Sequence, residues 1–90
     1  MEDELELTVR IMPAGEEHIL ELSRFTTGKE IISALMDNSL ISSSDHEGNP
    51  YIYRIMTKGS NVQLTDDKAL HDVNVRSGDT LIITPDMIAG

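Results

Sequence analysis

Cysteine is absent from this chain. Without it there is no disulfide, no cysteine-bound zinc and no thiol nucleophile, and the redox state of the compartment leaves no mark on the sequence. No apolar run approaches the roughly 20 residues that a membrane-spanning helix needs, so no membrane partner is expected. Basic residues are scarce. Seven Lys and Arg against sixteen Asp and Glu leave a net charge of −9. The basic residues are scattered, and a field of that sign repels phosphate backbones, so nucleic acid is excluded as an expected partner. The opening MEDELEL is acidic, the opposite of a secretory n-region, and a cytoplasmic location is the expectation.

What is present fits one small domain. Ninety residues at 39% apolar content support a modest core and leave little volume for a deep substrate cleft. In LELTVRIM, Leu5, Leu7, Val9 and Ile11 alternate with Glu6, Thr8 and Arg10, the period of a half-buried strand. Pro13-Ala14-Gly15-Glu16 supplies turn chemistry, and EHILEL resumes the alternation, so the two strands form a hairpin. Thr27-Gly28-Lys29-Glu30 matches a capping box, and Ile31, Ile32, Leu35, Met36 and Leu40 follow at helical spacing. The expected helix runs from Gly28 to Asn38. The Ser-rich stretch 41–50 reads as a loop. Its Asp45, His46 and Glu47 are adjacent in sequence, an arrangement that rarely converges on one ion, so no metal is assigned.

YIYRIMT forms a third strand, Lys58-Gly59-Ser60-Asn61 a turn, and Val62-Gln63-Leu64 a short edge strand. Asp66 to His71 is expected to make one or two helical turns, with Val73 and Val75 as small anchors. Ser77-Gly78-Asp79 turns the chain into Thr80-Leu81-Ile82-Ile83-Thr84, whose β-branched composition suits a central strand. Pro85 lacks an N–H and is expected to stop the ladder there. The expected division is therefore a domain over 1–84 and a flexible tail over 85–90. The fold class is α+β, with a four- to five-stranded mixed sheet packed on one helix and the last strand beside the first.

No catalytic residue is assigned. His18, His46 and His71 show no nucleophile–base pairing, and Ser77 lacks a glycine-elbow context. Two other features suit a chain on which enzymes act. The tail ends on Gly90, and glycine, having no Cβ, lets a terminal carboxylate pass through a narrow channel. Alternation in the third and last strands also turns Arg54, Met56 and Ile82 away from the helix, and methionine adapts to several partners.

The chain resembles the ubiquitin-like β-grasp family over essentially its whole length. The residues that carry the resemblance are the hairpin LTVRIMPAGEEHILEL, the helix opening TTGKEIISAL and the Lys58-Gly59 turn before Val62-Gln63-Leu64. With them goes Leu70-His71-Asp72-Val73-Asn74-Val75, followed by Gly78-Asp79-Thr80-Leu81. The resemblance implies a bacterial modifier, cytoplasmic and monomeric, that is not itself an enzyme and carries no cofactor. Gly90 would be adenylated by an E1-like activating enzyme and passed, with an E2-like enzyme, to an amine or hydroxyl of target proteins. A JAB-type protease would deconjugate it. Pro85, Asp86, Met87, Ile88 and Ala89 would form the strip read by these enzymes, and Arg54, Met56 and Ile82 the partner-binding face. Lys58 would be the acceptor if chains form. The family also contains sulfur carriers and non-covalent adaptors such as the YukD-like accessory proteins of type VII secretion, and both stay open. The departure is at the end, where Ala89-Gly90 replaces the Gly-Gly of ubiquitin and the sulfur carriers.

Overall fold

The computed structural model describes residues 3–42, 44, 47–48 and 51–87. Strands β1 (Glu4–Ile11) and β2 (Glu16–Ser23) form the hairpin and lead into helix α1 (Gly28–Asp37). Strands β3 (Tyr51–Thr57) and β4 (Gln63–Leu64), a 3-10 turn (Leu70–Val73) and strand β5 (Thr80–Met87) follow. The sheet has the order β2-β1-β5-β3-β4. β5 lies parallel to β1 and antiparallel to β3, so the last strand sits beside the first. Among the described residues, no helix is long and apolar enough to cross a membrane.

Alternation decides which face is covered. Leu7 and Val9 of β1, Leu81 and Ile83 of β5 and Ile55 of β3 turn toward α1, which buries Ile31 and Leu35 against them. Leu64, Leu70 and Val75 complete the buried cluster, and Leu40 packs at its margin.

The capping box forms as its spacing requires. Glu30 N–H donates to Thr27 Oγ1 at 3.3 Å, and Thr27 N–H donates to Glu30 Oε1 at 3.0 Å. These bonds hold the Glu30 carboxyl below its ordinary range, because they favour the charged form. Helix α1 stops at Asp37 rather than Asn38. Asn38 is the cap, its Nδ2 donates to the Ala34 carbonyl at 2.8 Å, and Ser39 adopts a left-handed φ of 59°.

Three expectations about the second half need correction. Of the span Asp66 to His71 only Leu70 and His71 are helical, as the start of a 3-10 turn that runs Leu70–Val73. The cause is a competing acceptor role. The Asp66 carbonyl accepts from Lys29 N–H (3.2 Å) and the Lys68 carbonyl from Gly28 N–H (3.0 Å), so this loop satisfies the orphan donors at the start of α1. The edge strand β4 is likewise reduced to Gln63–Leu64.

The third correction concerns Pro85. The ladder does not stop there: β5 continues to Met87, with Tyr53 opposite Pro85, Ile52 opposite Asp86 and Tyr51 opposite Met87. Side-to-side alternation explains why. The Ile83 carbonyl accepts from Met12 N–H on the β1 side (2.8 Å), whereas the Thr80 carbonyl accepts from Lys58 N–H on the β3 side (3.0 Å). Pro85, two residues beyond Ile83, therefore turns its nitrogen toward the β1 side, where β1 has already ended. The missing N–H faces an edge, the one place in a sheet where proline costs no ladder bond. Ile88, Ala89 and Gly90 lie outside the described residues, as do Asp45 and His46.

Candidate partner-binding face and C-terminal strand

The face of the sheet opposite α1 is built from the alternate residues that the core does not use. The register places Glu17, Arg10, Ile82, Met56 and Gln63 in one row across all five strands. Ile82 and Met56 are neighbours in this row, both half-buried, and form its apolar centre. Arg54 is exposed one step along β3, opposite Thr84. The three residues picked out by alternation are thus brought onto one surface.

Ion pairs flank the apolar centre on either side. Arg10 donates from Nε and Nη2 to Glu17 Oε2 at 2.9 and 2.7 Å. Arg54 Nη2 lies 2.8 Å from Asp86 Oδ2. Both pairs are substantially exposed, so each contributes little to stability, about 0.2–1 kcal/mol. Their effect is on shape: they fix two guanidinium groups beside Met56 and Ile82.

The structure adds members that the alternation argument passed over. Ile52, two residues before Arg54, is 50% exposed on the same face, and Ile19 of β2 is 69% exposed. Period two alone would have reached Ile52. In the sequence Asp86 reads as part of a free tail, and its pairing with Arg54 follows only from the register. Tyr53, on the opposite side of β3, donates its hydroxyl to the Ser42 carbonyl at 2.7 Å, and burial pushes its phenol above the ordinary range. That bond ties the segment after α1 to the strand that holds the start of the tail.

Lys58 opens the β3–β4 turn with its side chain exposed, and its backbone N–H is anchored to the Thr80 carbonyl. Within the tail strip, Pro85, Asp86 and Met87 belong to β5. Ile88, Ala89 and the candidate conjugation residue Gly90 fall outside the described residues. Among the described residues, no group of three or more His, Asp or Glu could hold a metal ion.

No protein-family model matches this sequence, and no curated protein matches it. Solved structures do match its shape. A de novo design based on ubiquitin superposes with a TM-score of 0.72 over 98% of this chain and 96% of its own, at 19% identity. The ubiquitin of Caldiarchaeum subterraneum superposes with a TM-score of 0.68 over 97% of this chain and 99% of its own, at 16% identity. Near-complete coverage in both directions, with the β2-β1-β5-β3-β4 order and a single capped helix, leaves one fold: this chain adopts the ubiquitin-like β-grasp fold.

Proposed function

We propose that this chain is a protein modifier, a substrate of enzymes rather than an enzyme, whose Gly90 carboxylate is joined to target proteins. The observation that carries this reading is the course of β5. It runs through the centre of the sheet beside Met56 and carries the chain to Met87, three residues before Gly90 in the sequence, so the proposed docking face lies on the strand that precedes the proposed reactive end. In the proposed reaction the Gly90 carboxylate attacks the α-phosphorus of ATP on an E1-like enzyme, releasing pyrophosphate and leaving an acyl-adenylate. A thiol of the enzyme displaces AMP to give a thioester. A target amine or hydroxyl, delivered with an E2-like enzyme, then displaces that thiol. ATP and the thiols belong to the partner enzymes. Pro85 to Ala89 form the strip that those enzymes and a JAB-type protease read, the Met56–Ile82 face docks them, and Lys58 accepts a further copy where chains form. The setting is the bacterial cytoplasm.

The extension of β5 to Met87 favours a second reading, that of a non-covalent adaptor. Pairing of Pro85–Met87 with β3 shortens the segment that could enter an enzyme channel. One experiment separates the two. An N-terminally tagged protein and its Gly90 deletion are expressed in the native host and run on boiled, reducing gels, and intact mass fixes the terminus of the free protein. Higher bands that vanish with the deletion establish the modifier. Their absence, with unchanged mass and partner capture that depends on Met56 and Ile82, establishes the adaptor.

A further inference from the structure

Basic residues are few and scattered along this chain, yet the fold brings two of them to one place. A cavity of about 290 Å³ opens between the turn after β2 and the loop after the 3-10 turn, and Arg24, His71, Asn74, Arg76 and Ser77 line its polar part. Among the described residues no Asp or Glu lines it, although the chain has sixteen. His71 N–H donates to the Arg24 carbonyl at 2.9 Å, which seats the 3-10 turn against the segment joining β2 to α1. Phe25, 52% exposed and outside the core, acts as a spacer. The Arg24 guanidinium lies 4.8 Å from its ring centre, and the His71 ring meets it edge-on at 5.2 Å. One aromatic ring thus holds both side chains in place.

These groups carry donors that the fold leaves unused. Arg24 Nε lies 3.3 Å from Asp3 Oδ1, and its two Nη groups have no partner among the described residues. The Arg76 backbone N–H donates to Asp79 Oδ2 at 2.9 Å, whereas its guanidinium makes no ion pair or hydrogen bond among the described residues. Ser77 Oγ accepts from Glu6 N–H at 2.8 Å, so its own hydrogen is free to donate. His71 Nε2 is 3.6 Å from Asp72 Oδ1, too far for a hydrogen bond.

Guanidinium and hydroxyl donors around a small cavity suit one compact anion. A long polyanion is disfavoured, because the body carries a net charge of −9 and Asp3 and Asp72 stand beside the site. A carboxylate would offer Arg24 no more than Asp3 already does. A phosphoryl group brings about −1.5 to −2 charge and three acceptor oxygens, enough to engage both arginines and Ser77 together. All five polar lining residues are exposed, so the cavity is too shallow to enclose a free small molecule. We propose that it binds a single phosphoryl group on a phosphorylated Ser or Thr of a partner protein. Asp3 and Asp72 make the flanking residues of that partner neutral or basic. The site shares no residue with the Met56–Ile82 face and is independent of what happens to Gly90.

The test is a titration of the 15N-labelled protein with a phosphoserine peptide flanked by Gly and Lys. The same peptide with plain serine, and inorganic phosphate, run beside it. The expected result is shifts centred on the Arg24, His71, Asn74, Arg76 and Ser77 amides, with the phosphopeptide at least about tenfold tighter than either control. Arg76→Ala removes a guanidinium that has no partner among the described residues, so it should keep the melting temperature and weaken binding at least about tenfold. Asp3→Asn removes the carboxylate that competes for Arg24, so it should tighten binding by about twofold or more, an effect that loss of structure cannot mimic. Equal affinity for the serine peptide would overturn the proposal, leaving only the attraction of an acidic body for lysine. Equal affinity for inorganic phosphate would overturn the assignment to a partner protein. Shifts centred on Met56 and Ile82, or an Asp3→Asn variant that binds more weakly, would overturn it as well.

Discussion

Gly28 occupies the first position of helix α1, where substitution by alanine would ordinarily raise helix stability by up to about 1 kcal/mol. The structure gives the opposite sign here. A Cβ built on Gly28 would lie 2.5 Å from the Thr65 carbonyl oxygen, 3.0 Å from the Thr65 carbonyl carbon and 3.1 Å from the Leu64 carbonyl oxygen. All three are backbone atoms, so no side chain can swing aside. Relief requires the helix start and the Leu64–Lys68 segment to separate, which stretches the bonds from Gly28 N–H to Lys68 and from Lys29 N–H to Asp66. Overpacking of this kind costs about 1–3 kcal/mol, and each weakened hydrogen bond adds up to about 1 kcal/mol. Set against the helix gain, Gly28→Ala should destabilise the domain by about 2 kcal/mol. For a domain of this size that lowers the melting temperature by roughly 10 °C. The assay is thermal unfolding followed by circular dichroism, with Lys29→Ala as a control, because Lys29 is exposed on the next position and should change little. A Gly28→Ala protein that melts at or above wild type would refute the close docking of α1 on the Leu64–Lys68 segment.

Other outcomes follow from the same geometry. Arg54→Ala should cost less than about 1 kcal/mol globally, since its pair with Asp86 is exposed. It should still raise amide exchange at Asp86 several-fold while exchange at Leu81 stays unchanged; equal effects at both would contradict a local role. Met56→Glu with Ile82→Glu sets two like charges directly opposite across β3 and β5, so it should lower the melting temperature while unfolding stays cooperative, because the core cluster is untouched, and it should abolish partner capture. Unimpaired capture would remove this face from the functional reading. Glu30 and Glu21 should act oppositely with pH. The folded value of Glu30 is lowered from 4.5, so its cap stabilises fully above that value and is lost as pH falls through the folded value. The folded value of Glu21 is raised from 4.5 by its hydrogen bond with Glu4 and then by like charge, so its contribution is most favourable at low pH and is lost as pH rises through the raised value. Melts at about pH 3 and about pH 7 should show Glu30→Ala losing stability mainly at the higher pH and Glu21→Gln gaining it there. A pH-independent difference for either variant would contradict the assignment.

What was legible in the sequence was what local chemistry determines. The hairpin follows from alternation around Pro13-Ala14-Gly15, and the start of α1 from Thr27 and Glu30, whose reciprocal bonds span only three residues. The placement of Arg54, Met56 and Ile82 follows from period two once Ile55, Leu81 and Ile83 are assigned to the core. What was not legible depends on contacts between distant segments. Asp66 and Lys68 look like the start of a helix until α1 is seen to claim their carbonyls. The meeting of Arg24, His71 and Arg76 at one cavity likewise depends on the bond from His71 N–H to the Arg24 carbonyl, which joins the turn after β2 to the second half of the chain.

Pro85 shows how that kind of ignorance bears on function. Read alone, it ends a strand and frees six residues, Pro85 to Gly90, able to span about 20 Å when extended. Within the sheet, β5 stays paired through Met87, and the three residues after it could reach only about 10 Å. A conjugating enzyme that draws Gly90 into a channel would therefore have to unzip β5 from β3. The sequence makes that unzipping easy. Alternation sends only Thr84 and Asp86 toward β3, Pro85 contributes no donor at all, and the Arg54–Asp86 pair is exposed. Two ladder positions and one weak ion pair hold the segment, against the continuous pairing and full burial that hold Leu81 and Ile83. The same strand is thus paired on both sides through Ile83 and paired on one side only from Thr84 to Met87. The boundary between those regimes falls at Thr84, where β1 stops supporting β5, one residue before the tail expected from the sequence begins.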